Sequence, residues 1–235
     1  MDLQQTIQQT DWAVVAESMH AKGYAIIPKV LPAKVCDELI SQYPEDALYR
    51  KTIQMENHGY GMGQYKYYNY PLPAPVQQLR EMVYPNIAPV ANKWMEVLSL
   101  DKQFPGTLNE LTTLCHQHNQ NRPTPLILKY GEGGYNALHQ DLYGEIFFPM
   151  QLVVCLNQPG KDFTGGEFVL IEQRPRMQSK AVVLNPEKGD MLLFTTNFRP
   201  VKGTKGYHRV NMRHGVSEIT GGERHTLGII FHDAA

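Results

Sequence analysis

The chain has 235 residues, a formal net charge of −1, and 42% hydrophobic and 10% aromatic residues. That length suits one domain with a sizeable core, and the near-zero charge excludes a molecule that is basic over its whole surface. No stretch approaches the roughly 18 apolar residues of a membrane-crossing helix, which excludes a helical membrane span.

The start, Met1-Asp2-Leu3-Gln4-Gln5, lacks the basic-then-apolar order of a secretory leader. Further along, Trp12, Val15 and Met19 set a helical stripe that Gly23 stops. Tyr24-Ala25-Ile26-Ile27-Pro28 reads as a short strand closed by proline. A second helix is expected from Ala33 to Tyr43, with Val35, Leu39 and Ile40 on its buried side. The segment 59–70 mixes glycine with tyrosine and fits either a lid or recognition loop or a β-rich packing element. Pro75 to Leu98 reads as a long helix that Pro85 and Pro89 kink or divide.

From Thr124 the texture changes to short apolar runs between glycine and proline turns. They are Leu126–Tyr130, Ile146–Leu156, Glu167–Glu172, Ala181–Leu184, Met191–Thr195 and His225–Phe231. Strands at this spacing predict a double-sheet jelly roll or a barrel. The expected class is α+β, mainly β, in one domain: residues 1–123 as helical and mixed support, and 124–235 as the jelly-roll core. Cys36, Cys115 and Cys155 form no C-x-x-C pair, so reduced thiols and a cytoplasmic location are expected.

The chemistry begins at His139-Gln140-Asp141. Residues two apart on a strand share a face, so this imidazole and carboxylate can share one ion. His214, in Arg213-His214-Gly215-Val216, supplies a third ligand. Two histidines and a carboxylate on one face of an octahedron leave positions for a chelating cosubstrate and dioxygen, which suits non-haem Fe(II). A dicarboxylate cosubstrate such as 2-oxoglutarate also needs a cation for its far end. Arg224, ten residues after His214, can grip a carboxylate with two parallel hydrogen bonds, and Thr226 shares its strand face. His208 rivals His214 but stands sixteen residues from Arg224 and lacks the following Gly-Val. His116-x-His118 reads as a polar loop, and His225, His232 and Asp233 as strand or terminal residues without chemistry. A run of nine basic residues lies between Arg174 and His214, opposed only by Glu187 and Asp190. It fits either a phosphate-guiding surface or a set of solvated loop charges.

With these marks in place, the stretch from Leu126 to Phe231 resembles the Fe(II)/2-oxoglutarate-dependent oxygenase superfamily. The matching features are His139-x-Asp141, Gly165-Gly166-Glu167, Gly189-Asp190 before an apolar strand, His214-Gly-Val and Arg224-x-Thr226. The resemblance implies a double-stranded β-helix core, with iron held by His139, Asp141 and His214. It further implies that Tyr130 hydrogen-bonds 2-oxoglutarate and that ascorbate is a supporting reductant. The implied reaction hydroxylates, or oxidatively demethylates, a substrate C–H bond and releases succinate and carbon dioxide. In detail the chain is similar to a bacterial AlkB-like group, oxygenases of damaged nucleic acid. It departs from their second arginine, six residues after the first, where it has Ile230. An alkylated nucleobase and a small metabolite or amino acid therefore stay open as substrates. A jelly-roll metal-binding protein without oxygenase activity is the remaining alternative, and a zinc hydrolase would have no use for the Arg224 clamp.

Overall fold

The computed structural model describes residues 2–174 and 176–235. Its first helices start where an aspartate can accept from the free N–H groups of the opening turn. Asp2 does so for α1 (Leu3–Gln9) and Asp11 for α2 (Trp12–Lys22). Gly23 ends α2 in the left-handed region, and a Cβ there would lie 2.7 Å from Arg199 Cδ. After β1 (Tyr24–Ile27), α3 covers Ala33–Ser41. The strands β2 (Tyr49–Gln54), β3 (Gly61–Met62) and β4 (Gln64–Tyr68) precede α4 (Ala74–Val97) and α5 (Leu108–Gln117).

The long helix α4 is neither divided nor broken at its prolines. Glu81, Pro85 and Pro89 lie four apart on its exposed face, while Val83, Tyr84, Ile87, Ala88 and Ala91 are buried. The hydrogen bonds that proline removes are thus on the solvent side, where water can satisfy the freed carbonyls, and the buried face holds the helix together.

The remaining elements are strands. They are β5 (Leu126–Tyr130), β6 (Tyr135–His139), β7 (Met150–Cys155), β8 (Phe163–Gly165), β9 (Phe168–Gln173) and β10 (Lys180–Leu184). Then follow β11 (Met191–Thr195), β12 (Phe198–Gly203), β13 (Gly206–Val216), β14 (Ile219–Gly222) and β15 (Arg224–Ile230). A seven-stranded sheet runs β1-β11-β7-β15-β5-β4-β2 and faces a second sheet, β10-β9-β13-β6-β3, with β12 paired to β13. The named strand pairs are antiparallel, as a jelly roll requires.

Alternation along the strands divides the core. One set of side chains from the seven-stranded sheet, including Leu152, Val154, Leu193, Leu227 and Ile229, packs with the helices. The opposite set meets the second sheet, where Leu192 and Phe194 touch Phe168, Leu170, Val210 and Met212. Of the two readings for 59–70, residues 64–68 form a paired strand, with β4 between β2 and β5 and Tyr67 and Tyr68 buried. Gly59 and Tyr60 instead line the cavity between the sheets. Among the described residues, no helix is long and apolar enough to cross a membrane.

Candidate active site

The pairing of β6 with β13 sets His139 directly opposite His214, their rings 4.2 Å apart. Asp141 lies two residues beyond His139. Its Oδ1 is 3.6 Å from His139 Nε2 and its Oδ2 is 3.2 Å from His214 Nε2. One ligand atom from each of the three lies within 4.8 Å of the others, close enough to share one ion.

Each side chain is held from behind. His139 Nδ1 meets the Ala137 carbonyl at 2.7 Å, so Nδ1 carries the proton and the Nε2 lone pair faces its partners. His214 is buried, stacked on Phe168 and tilted against Phe194. Both oxygens of Asp141 are engaged: the Tyr143 hydroxyl donates to Oδ1 at 2.7 Å and Gln151 Nε2 donates to Oδ2 at 2.8 Å. Burial opposes charge on Asp141, yet the hydrogen bond and charge of His214, the charge of His139 and the Tyr143 hydroxyl outweigh it. The carboxyl is held well below its ordinary range. Burial, then the charge of His139, lowers His214, and neutral imidazole is the form that binds metal.

The same cavity, about 380 Å³, contains Arg224, Thr226 and Tyr130. Arg224 stands opposite Tyr130 where β15 pairs with β5. Gly166 makes room beside it: its φ is +67°, and a Cβ there would lie 2.2 Å from Ile219 Cδ1 and 3.0 Å from Arg224 Cδ. Arg224 is 2% exposed, and its Nε and Nη1 lack a hydrogen-bond partner among the described residues. So do Thr226 Oγ1 and Tyr130 Oη. A guanidinium so placed is costly unless an anion meets it. Four unsatisfied polar atoms converging on one cavity fit the far carboxylate of 2-oxoglutarate, and two imidazoles with a carboxylate fit Fe(II).

The other histidines lie elsewhere. His208 is exposed, opposite Val201 in the β12–β13 hairpin. His116 closes α5 rather than sitting in a loop and meets Asp233 at 3.1 Å, while His118 meets Glu145. His225 and His232 are buried, and Asp233 pairs with the buried Arg80. Two contributors had escaped the sequence reading. Gln151 is a polar residue in the apolar strand Met150-Gln151-Leu152-Val153-Val154-Cys155, and that break in hydropathy was the available signal. Tyr143, two residues after Asp141, had none.

A jelly roll that gathers two imidazoles and a carboxylate beside a buried arginine defines a class, the non-haem Fe(II) oxygenases that use 2-oxoglutarate. Residues 63–234 match the model of the Oxygenase-NA family, described as an oxygenase catalysing oxidative methylation of damaged DNA, and the chain belongs to that family. It is 45% identical over 165 residues to two uncharacterised proteins of Mycobacterium tuberculosis, strains CDC 1551 and H37Rv, covering 70% of this chain and 71% of each relative.

Among solved structures it is similar to a prolyl hydroxylase from Trichoplax adhaerens, in complex with a hypoxia inducible factor peptide. That match has a TM-score of 0.60, 16% identity, and covers 96% of this chain and 90% of the other. A prolyl-4-hydroxylase of Pseudomonas putida gives a TM-score of 0.56, 14% identity, and coverage of 92% and 96%. A 2OG-Fe(II) oxygenase family protein of Burkholderia pseudomallei gives 0.52, 15%, and coverage of 97% and 94%. At such identities these likenesses speak for the fold.

Proposed function

We propose that His139, Asp141 and His214 hold the catalytic Fe(II), that Arg224, Thr226 and Tyr130 bind 2-oxoglutarate, and that the substrate is an alkylated nucleobase. The observation that carries the site assignment is the buried, unpaired Arg224 in one cavity with three ligand atoms within 4.8 Å of each other. Iron held there would supply activation of dioxygen, one oxygen atom going to a substrate C–H bond and the other into succinate as 2-oxoglutarate loses carbon dioxide. The protein's own groups set the geometry. Ala137 fixes the tautomer of His139, the Phe168 and Phe194 rings fix His214 and keep water from it, and Tyr143 with Gln151 aims Asp141. Arg224 and Thr226 orient the cosubstrate from the closed end of the cavity.

Two things support the nucleobase. The family is described by damaged DNA, and Tyr60, Tyr65, Tyr67 and Tyr143 line the cavity with rings on which an extruded flat base can stack. A second reading, the same chemistry on a small metabolite or amino acid, draws on Ile230. That residue is buried in the cavity wall beside Tyr67 and Leu126, where the AlkB-like pattern has its second arginine.

The test has two stages. Anaerobic Fe(II) and 2-oxoglutarate should produce a weak visible charge-transfer band that His139→Ala and Arg224→Ala abolish; an unchanged band in both variants would sink the site assignment. Succinate formation should then be stimulated by a methylated oligonucleotide and not by its unmethylated counterpart. Stimulation by a metabolite panel alone would select the second reading.

A further inference from the structure

Seven of the nine basic residues of the 174–214 run fall into two groups in the structure. Arg174 and Arg199 both pair with Glu172, at 2.7 and 2.6 Å, and Lys188 pairs with Asp37. These charges are offset in part within the fold, Glu172 being shared by two arginines. Lys202, Lys205, Arg209 and Arg213 are exposed and make no ion pair among the described residues. All four belong to the β12–β13 hairpin and its turn, and the sequence from Phe198 to Val216 contains no Asp or Glu.

Strand geometry puts most of them on one face. Val210, Met212 and His214 are buried, so Arg209, Asn211 and Arg213 point the other way, as does Tyr207. Lys202 is the cross-strand partner of Tyr207 and shares its face. The Arg209 guanidinium sits 5.4 Å over the Phe198 ring, which steadies the row at its middle. Successive outward residues are about 6.7 Å apart, which matches every second phosphate of a stacked strand at about 3.4 Å per nucleotide. Arg213 is also the residue before His214, so the row ends directly behind the candidate ligand, on the opposite face of the same sheet.

We propose that the outward face of the β12–β13 hairpin is a docking surface for the sugar–phosphate backbone of a nucleic acid. The inference rests on the nucleobase reading above and adds the place where the polymer is held. Phosphates meet Lys202, Lys205, Arg209 and Arg213, while Tyr207, 48% exposed, offers a ring for stacking. The turn Gly203-Thr204-Lys205-Gly206 carries no apolar side chain to insert into a bilayer, which favours nucleic acid over an anionic membrane.

The experiment compares the wild type with a Lys202→Gln/Lys205→Gln/Arg209→Gln triple variant. Binding of a fluorescein-labelled single strand is measured across a salt series. The Fe(II)–2-oxoglutarate band and the thermal midpoint are followed to show that the variant is folded. The slope of log K against log salt should fall by about 2, at about 0.7 per lost phosphate contact, and affinity near 0.1 M salt by up to about 100-fold. Arg213→Gln alone should lower the slope by about 0.7. A folded triple variant with an unchanged slope would overturn the docking surface and leave the nucleobase reading standing. If the wild type neither bound the strand nor was stimulated by a methylated oligonucleotide, the nucleobase reading itself would fall. Binding of the wild type to phosphatidylserine vesicles but not to the strand would also overturn the proposal.

Discussion

In the seven-stranded sheet, β11 and β15 are buried at every position, whereas β13 of the facing sheet alternates exposed and buried residues through its middle. The cause is what lies behind each sheet. Helices cover the outer face of the first, and solvent covers much of the second. The two therefore suit different parts of one site. The covered sheet buries Arg224 and Thr226, whose Nε, Nη1 and Oγ1 atoms have no hydrogen-bond partner among the described residues, and it supplies Gln151 to hold Asp141. The open sheet brings His139 and His214 to the cavity on one face and leaves the other face free for a partner. A buried polar group is costly and specific; an exposed one is cheap and screened by salt.

That contrast can be broken most forcefully at Arg224. Arg224→Met keeps the bulk and removes the charge, and the KM for 2-oxoglutarate should rise at least about 30-fold, equivalent to about 2 kcal/mol or more. In the absence of cosubstrate the same variant should unfold at a higher temperature than the wild type, because an uncompensated buried charge has gone. A lower midpoint would mean that Arg224 stabilises the empty fold.

His232, just beyond β15, sharpens the contrast through pH. Burial, aided by Arg80 and opposed by the nearby Asp141, lowers it from 6.5 to about 4. Between those values the unfolded chain binds a proton that the folded chain refuses, so stability falls as pH drops from 6.5 towards 4. The full loss is about 3 kcal/mol at about 1.4 kcal/mol per unit. His232→Asn keeps an acceptor for the Phe148 N–H, and its urea midpoint should lose this dependence. Equal acid sensitivity in both proteins would assign the effect to other groups.

The smallest effect is expected at Gln151. Gln151→Leu leaves Asp141 Oδ2 without its amide donor, and Fe(II) affinity by calorimetry should weaken about 10-fold with the fold intact. Unchanged affinity would show that Tyr143 alone suffices to aim the carboxylate.

Much of this was readable along the chain. The strands 126–130 and 191–195 were expected where they occur, because short apolar runs between turn residues bury on both faces. His139, Asp141, His214 and Arg224 were singled out by spacing, although Asp141 lies just past the end of β6 and the interval from His214 to Arg224 holds the short strand β14. The continuity of α4 was not readable. Whether Pro85 breaks a helix depends on which face is buried, and that is a property of the neighbours. The segment 59–70 stayed ambiguous for a similar reason. Glycine and tyrosine suit a loop as well as a strand until β5 and β2 offer hydrogen bonds on both sides of β4.

Local order, then, determined by itself the class of fold and the residue types able to hold a metal and a dicarboxylate, because strand alternation and ligand spacing are short-range properties of the backbone. Tertiary structure alone decided that Gln151 and Tyr143 grip Asp141, that Glu172 pairs with two of the nine basic residues, and that four of the rest, on one hairpin, make no ion pair among the described residues. Those facts depend on which distant side chains come within about 3 Å of one another, and Coulomb and hydrogen-bond energies fall off too steeply for sequence separation to reveal them.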